Sequence, residues 1–144
     1  MEHPPTDNFP SPPMEVVIGT IFLLGLSKSI FCFKKEGIRV FGLLISNLVI
    51  GICVFHVVLD EAQINFFVVN QKYRKKGYGT YLMNYLIKQC EILNINKLLL
   101  EVSKSNFIAE KFYSRFDFFT VGIRTNYYRD GSDAVLKEKK LLTK

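Results

Sequence analysis

From Arg39 onward, the apolar positions fall into short runs whose length and period define the elements. Two runs of Val, Ile, Leu and Phe, at about 39–45 and 48–58, predict strands, and Gln63–Val69 predicts a third. In Gly79–Leu93 the period changes. Leu82, Met83, Leu86, Cys90 and Leu93 fall on one face at helical spacing, which predicts a helix. Lys97–Val102 reads as an apolar strand. Asn106 can cap a second helix over Phe107–Arg115, with Glu110 and Lys111 among its polar positions. Two strands follow, at about 118–125 and 133–138, joined by a turn containing Asp130-Gly131. The order is strands, a helix, a strand, a helix and two strands, a mixed α/β chain with no internal repeat. Before Arg39 the pattern fails. Residues 14–33 are apolar with no clean period and receive no assignment, and the Pro-rich residues 1–13 read as flexible.

The run Val40–Leu59 is nearly apolar over 20 residues, long enough to span a bilayer as a helix. Ser46-Asn47 splits it into two pieces of strand length, and Gly42 and Gly51 weaken a helix. A buried hairpin turning at Ser46-Asn47 is the expectation, with no membrane partner. Val16–Leu26 is too short to span, and the Pro-rich start lacks the basic region of a secretory signal.

Composition narrows the class. The 144 residues suit one domain, and 49% hydrophobic content supports a core. Cysteines 32, 53 and 90 form neither a disulfide framework nor a metal pattern, which suggests a reducing, cytoplasmic setting. With only His3 and His56, a histidine metal site or a Ser-His triad is not expected, and no metal is expected. The net charge of +6 is uneven: residues 1–70 carry −2 and residues 71–144 carry +8. The second half therefore suits an anionic partner: a phosphorylated cofactor, nucleic acid or an acidic surface.

The candidate chemistry begins at Arg74-Lys75-Lys76-Gly77-Tyr78-Gly79, between a strand ending at Val69 and a helix starting near Gly79. A helix start leaves about four N–H groups unpaired and carries partial positive charge. Glycines there let an anion approach the main chain, and the cations add a long-range field. The stretch is neither a Walker A motif nor G-x-G-x-x-G. It matches R/Q-x-x-G-x-G/A through Arg74, Gly77 and Gly79. Glu101, inside Leu98-Leu99-Leu100-Glu101-Val102, is either on a solvated face or kept for a task.

This turn, the later "LLLEVSKSNFIAEKFYSRFDFF" and the "RTNYYRDGSDAVL" segment together resemble the GNAT superfamily of acetyl-CoA-dependent N-acetyltransferases. The likeness covers roughly residues 38–136 and runs to the branch of bacterial ribosomal-protein-alanine N-acetyltransferases. It implies a mixed, mostly antiparallel sheet flanked by helices, the GNAT acyltransferase fold, over residues 34–144. Residues 1–33 are a divergent segment without the family's first strand and helical pair, which form one wall of the peptide slot.

By this resemblance acetyl-CoA is held by Arg74, Lys75, Lys76, Gly77, Tyr78, Gly79, Thr80 and Asn106. The main chain of Phe67, Val68 and Val69 pairs with its pantetheine arm. Glu101 becomes the general base and Tyr113 the general acid for the departing thiolate. A phenol of pKa about 10 would pass its proton to a thiolate near 8.5 only slightly uphill. Tyr127 and Tyr128, with Glu61 at the edge, shape a slot for an extended N-terminus, expected to be that of a ribosomal protein. The chain departs from the pattern at Asp117, where Gly is usual, at Ser132, usually acidic, and at Lys137, usually apolar. Three readings compete: an acetyltransferase for protein N-termini, a CoA-binding module that is impaired or acts on another amine, and a nucleic-acid binder built on the basic half. For the third, no recognised motif is present and no base readout is expected.

Overall fold

The apolar stretch that periodicity leaves unassigned forms two antiparallel strands, β1 (Gly19–Leu23) and β2 (Leu26–Lys35). The computed structural model describes residues 19–23 and 26–141, with side chains from Lys28 onward. The Pro-rich residues 1–13 lie outside the described residues. Strand β2 gives no alternation because both its faces carry apolar groups: Ile30 is buried in the core, while Phe31 and Phe33 pack edge to face on the opposite side.

Two hairpins follow on mirror-image turns. Glu36 and Gly37 have φ of 46° and 83° and lead into β3 (Ile38–Ile45). Ser46 and Asn47 have φ of 48° and 68° and lead into β4 (Leu48–Val58). Positive φ at both central residues matches the twist of paired strands, so Val40–Leu59 folds back on itself as expected. No described helix is long and apolar enough to cross a membrane.

Strand β5 (Glu61–Val69), helix α1 (Tyr78–Ile92) and strand β6 (Lys97–Ser103) form a crossover that makes β5 and β6 parallel. Helix α2 (Phe107–Ser114) leads to β7 (Phe119–Arg124) and β8 (Ala134–Lys140). The eight strands are ordered β1-β2-β3-β4-β5-β6-β8-β7, antiparallel except at β5–β6. The sequence expectation holds for every strand and α-helix from β3 onward, within a few residues at each end, and misses a 3-10 turn at Gln71–Tyr73.

Both helices cover one face. Phe41, Cys53, Phe55, Ile64, Leu98, Leu100 and Val135 alternate inward along the strands and are buried with Leu82, Met83, Leu86 and Cys90 of α1. Lys137 shares this face, being opposite Leu100, and reaches Glu110 of α2 at 4.0 Å and Thr120 at 3.4 Å. It is only 6% exposed, and both contacts are long. Replacing Lys137 by Met together with Glu110 by Gln is expected to hold or raise stability by about 1–2 kcal/mol, since both charges of the pair are then removed. Urea unfolding with unchanged slope checks this.

On the second face Phe31 lies over Gly42, where an added Cβ would sit 2.0 Å from the ring. Gly42→Ala is therefore expected to destabilise by about 1–3 kcal/mol through overpacking. The added Phe31→Ala change should cancel part of that loss in a thermal melt. Val40, Val54, Val68 and Leu99 of this face are half-buried, and Phe66 is 53% exposed. Among the described residues, no helix packs there.

Candidate active site

Strands β5 and β6 pair only from Glu61↔Lys97 to Ile64↔Leu100. At the next residue β5 carries a bulge: Val54 faces Phe66 and Phe55 faces Ile64, so Asn65 is the extra residue. A bulge bends its strand and sharpens the local twist. Beyond it, β5 stays bonded to β4 while its other edge diverges from β6. The main-chain groups of Phe67, Val68 and Val69 on that edge have no strand partner among the described residues. Val69 is buried, and Phe67 packs against the rings of Phe112 and Tyr113 at 5.6 and 6.4 Å.

The splay opens a cleft of about 300 Å³ lined by both strands and by α2. It is reached from both faces of the sheet. Glu101 enters from the second face, opposite Leu136 of β8, and Tyr113 enters from the helical face. Asn106 caps α2 by accepting from the Ala109 N–H at 3.1 Å, and lines the same cleft. Tyr128 closes its rim.

The hydroxyl of Tyr113 has no hydrogen-bond partner among the described residues, and burial pushes its pKa up to about 12. This alters the energetics expected from the sequence. Complete transfer to an ordinary thiolate near 8.5 would climb about 3.5 units, roughly 5 kcal/mol. Tyr113 is therefore suited to donate a hydrogen bond to charge as it develops on sulfur. The same dry surroundings raise a thiolate's proton affinity and narrow the gap.

At the other end of the splay, Gly77 caps α1 with φ 84°, and no side chain caps the helix. Tyr81 is the first amide to bond back, to the Gly77 carbonyl at 3.0 Å. The N–H groups of Tyr78, Gly79 and Thr80 therefore lack an intrahelical acceptor. No acidic residue lies in this first turn. A Cβ on Gly77 would meet nothing within 4 Å, whereas one on Gly79 would press on Phe112 at 3.3 Å. The first glycine is required by conformation and the second by packing.

The cations divide by task. Arg74 folds back, its Nε donating to the Val69 carbonyl at 3.0 Å, so it ties the turn to the end of β5. Lys75 and Lys76 are exposed, with Lys76 over the Tyr73 ring at 5.8 Å. Lys28 of β2 lies over the rings of Tyr78 and Tyr81, at 5.1 and 5.3 Å, and adds charge to the turn. No local motif announces it, because it comes from the unassigned segment.

Some expected residues lie elsewhere. Glu61 stands at the far end of the β5–β6 ladder, 3.8 Å from Lys97, and does not line the cleft. Tyr127 is exposed and does not line the cleft, meeting Tyr128 of its rim edge to face at 5.1 Å. Asp117, where the family pattern has Gly, takes φ 62°, a left-handed conformation that Asp tolerates. Ser132 bridges Ser103 of the cleft, at 2.9 Å, to Asp130, at 2.6 Å. The Ser103 hydroxyl and the Arg124 partner of Glu101, at 3.5 Å, were not foreseen. Both depend on strand order, which local sequence does not encode.

A model of the acetyltransferase (GNAT) family matches residues 6–118. A [ribosomal protein bS18]-alanine N-acetyltransferase of Haemophilus ducreyi is 37% identical over 86 residues, which cover 58% of this chain and 59% of that protein. The chain thus spans under two thirds of the length of that relative. The crystal structure of the ribosomal-protein-S18-alanine N-acetyltransferase from Escherichia coli superposes with a TM-score of 0.73 at 31% identity, over 77% of this chain and 74% of that one. A GNAT-family acetyltransferase from Elizabethkingia anophelis, solved with acetyl-CoA bound, gives 0.69 at 19% identity over 73% and 77%, a likeness of fold.

Proposed function

The chain belongs to the acetyltransferase (GNAT) family, and on that premise we propose that it transfers acetyl from acetyl-CoA to a protein N-terminal α-amine, that of a ribosomal protein. One observation carries this reading. The β5–β6 splay lets Glu101 and Tyr113, from opposite faces of the sheet, line a single cleft. A base and an acid on either side of a gap suit direct attack of an amine on a thioester, with no covalent enzyme intermediate.

The residues present fit acetyl-CoA. The free N–H groups of Tyr78, Gly79 and Thr80 suit its pyrophosphate, and the exposed Lys75 and Lys76 supply attraction. The edge of Phe67–Val69 that has no strand partner suits the amides of its pantetheine arm, and a backbone N–H there can stabilise an oxyanion by about 3 kcal/mol. When bound, acetyl-CoA supplies the activated acyl group. The chain's part is to place the amine: Glu101 takes its proton, and Tyr113 donates to the departing sulfur. An α-amine of pKa about 7.7–8.0 costs only about 1 kcal/mol to neutralise at pH 7, against roughly 4.6 for lysine. One carboxylate is therefore a sufficient base.

The test is acetyl-CoA turnover on peptides carrying the N-terminal sequence of a ribosomal protein, free or blocked at the α-amine. Turnover is expected on free peptides alone. Equal rates on blocked peptides would remove α-amine specificity, and acetyl-CoA binding with no turnover on any amine would make the chain a binding module.

A further inference from the structure

The Arg that begins the Arg124-Thr125-Asn126-Tyr127-Tyr128 segment has no role in the scheme above, yet it makes the one ion pair to Glu101 among the described residues. Its Nη2 lies 3.5 Å from Glu101 Oε1. The same guanidinium sits over the Tyr127 ring at 5.5 Å, and Tyr127 meets Tyr128 of the cleft rim edge to face, with planes at 87°. Arg124 thus joins the carboxylate to both tyrosines.

The sheet explains how it gets there. Arg124 is opposite Ala134, and Ala134 is opposite Ser103, so Arg124 shares the face of Ser103 and Glu101 although β8 lies between. Two strand spacings are about 10 Å, within the joint reach of Arg and Glu side chains. Ala134 offers only a methyl group where they cross. No other described cation competes: Lys97 is engaged with Glu61 and Glu138, and Lys137 with Glu110 on the opposite face.

We propose that Arg124 is a positioning residue for acetyl transfer, fixing the Glu101 carboxylate relative to the slot tyrosines so that its second oxygen faces the incoming amine. A planar guanidinium holds a carboxylate direction that a flexible Glu side chain would otherwise sample. The pair contacts Oε1 and leaves Oε2 for the acceptor. The proposal rests on Glu101 being the base, and its test separates the two.

The full chain is assayed with acetyl-CoA and an acceptor peptide as wild type, Arg124→Ala, Arg124→Lys, Glu101→Gln and the Arg124→Ala/Glu101→Gln pair. Arg124→Ala is expected to lower kcat about tenfold, as misplacement of a reacting group does. Its acetyl-CoA Kd should stay within about twofold, since the cofactor turn is elsewhere. Arg124→Lys should recover part of the rate by keeping the charge without the fork. In the Glu101→Gln background Arg124→Ala should add no further loss. Glu101→Gln at the wild-type rate would overturn the base assignment and the proposal with it. A slow Glu101→Gln beside a wild-type Arg124→Ala would overturn the proposal alone, as would losses that simply multiply in the double variant.

Discussion

Tyr113→Phe is expected to lower kcat by about 10²-fold, the usual scale for a lost hydrogen-bond donor to developing charge, with acetyl-CoA affinity nearly unchanged. The ring is buried among Phe67, Phe112 and Phe118, whose centroids lie 6.4, 5.4 and 5.7 Å away, so Phe keeps every packing contact. The hydroxyl bonds to nothing in the described protein, so its removal leaves no donor or acceptor stranded. A fall in kcat therefore reports on chemistry, which a coincident thermal melt would verify. Burial pushes the phenol up to about 12, so it keeps its proton across the assay range. The rate loss should then be independent of pH from about 6 to 9. A loss that vanished towards about pH 9 would mean that the phenol gives up its proton within that range, and an unchanged kcat would remove the donor role.

Gly77→Val is expected to weaken acetyl-CoA binding by about 10²-fold, because hydrogen bonds to a charged group contribute about 1.5–3 kcal/mol each and the turn aims several. With φ 84°, a β-branched residue here is strained by more than about 1–2 kcal/mol. Relaxation would rotate the Tyr78, Gly79 and Thr80 amides away from a common point. Lys75→Ala removes one exposed charge and should cost only about twofold to threefold at physiological salt. Calorimetry with acetyl-CoA ranks the two. If Lys75→Ala were the more damaging, the cradle would be the side chains and not the main chain.

How much of this was legible depended on range. The Ser46-Asn47 hairpin, the Asn106 cap and the helical face of Leu82, Met83, Leu86 and Cys90 are written in residues close together and formed as read, but Leu93, read on the same face, caps the helix end and is 39% exposed. The Gly77 turn was legible because the glycines and the helix start lie within a few residues of one another. Strand β2 was hidden because two apolar faces erase the period by which strands are found. Arg74 looked like a free cation until its bond to Val69 appeared. The Arg124–Glu101 pair and the burial of Lys137 arise from β8 inserting between β6 and β7, a neighbour relation that no window of sequence contains.

One backbone position separates the demands of folding from those of use. Asn65 is the extra residue in β5, and the side chains before and after it already alternate correctly: Ile64 opposite Phe55, Phe66 opposite Val54, Phe67 opposite Cys53. Deleting it would move no other β5 side chain to the wrong face. The ladder would simply run straight, and β5 could continue along β6. Packing alone does not call for Asn65; the open edge of β5 that follows its bulge does. One residue of surplus length in a strand thus leaves open an edge that an even count would close.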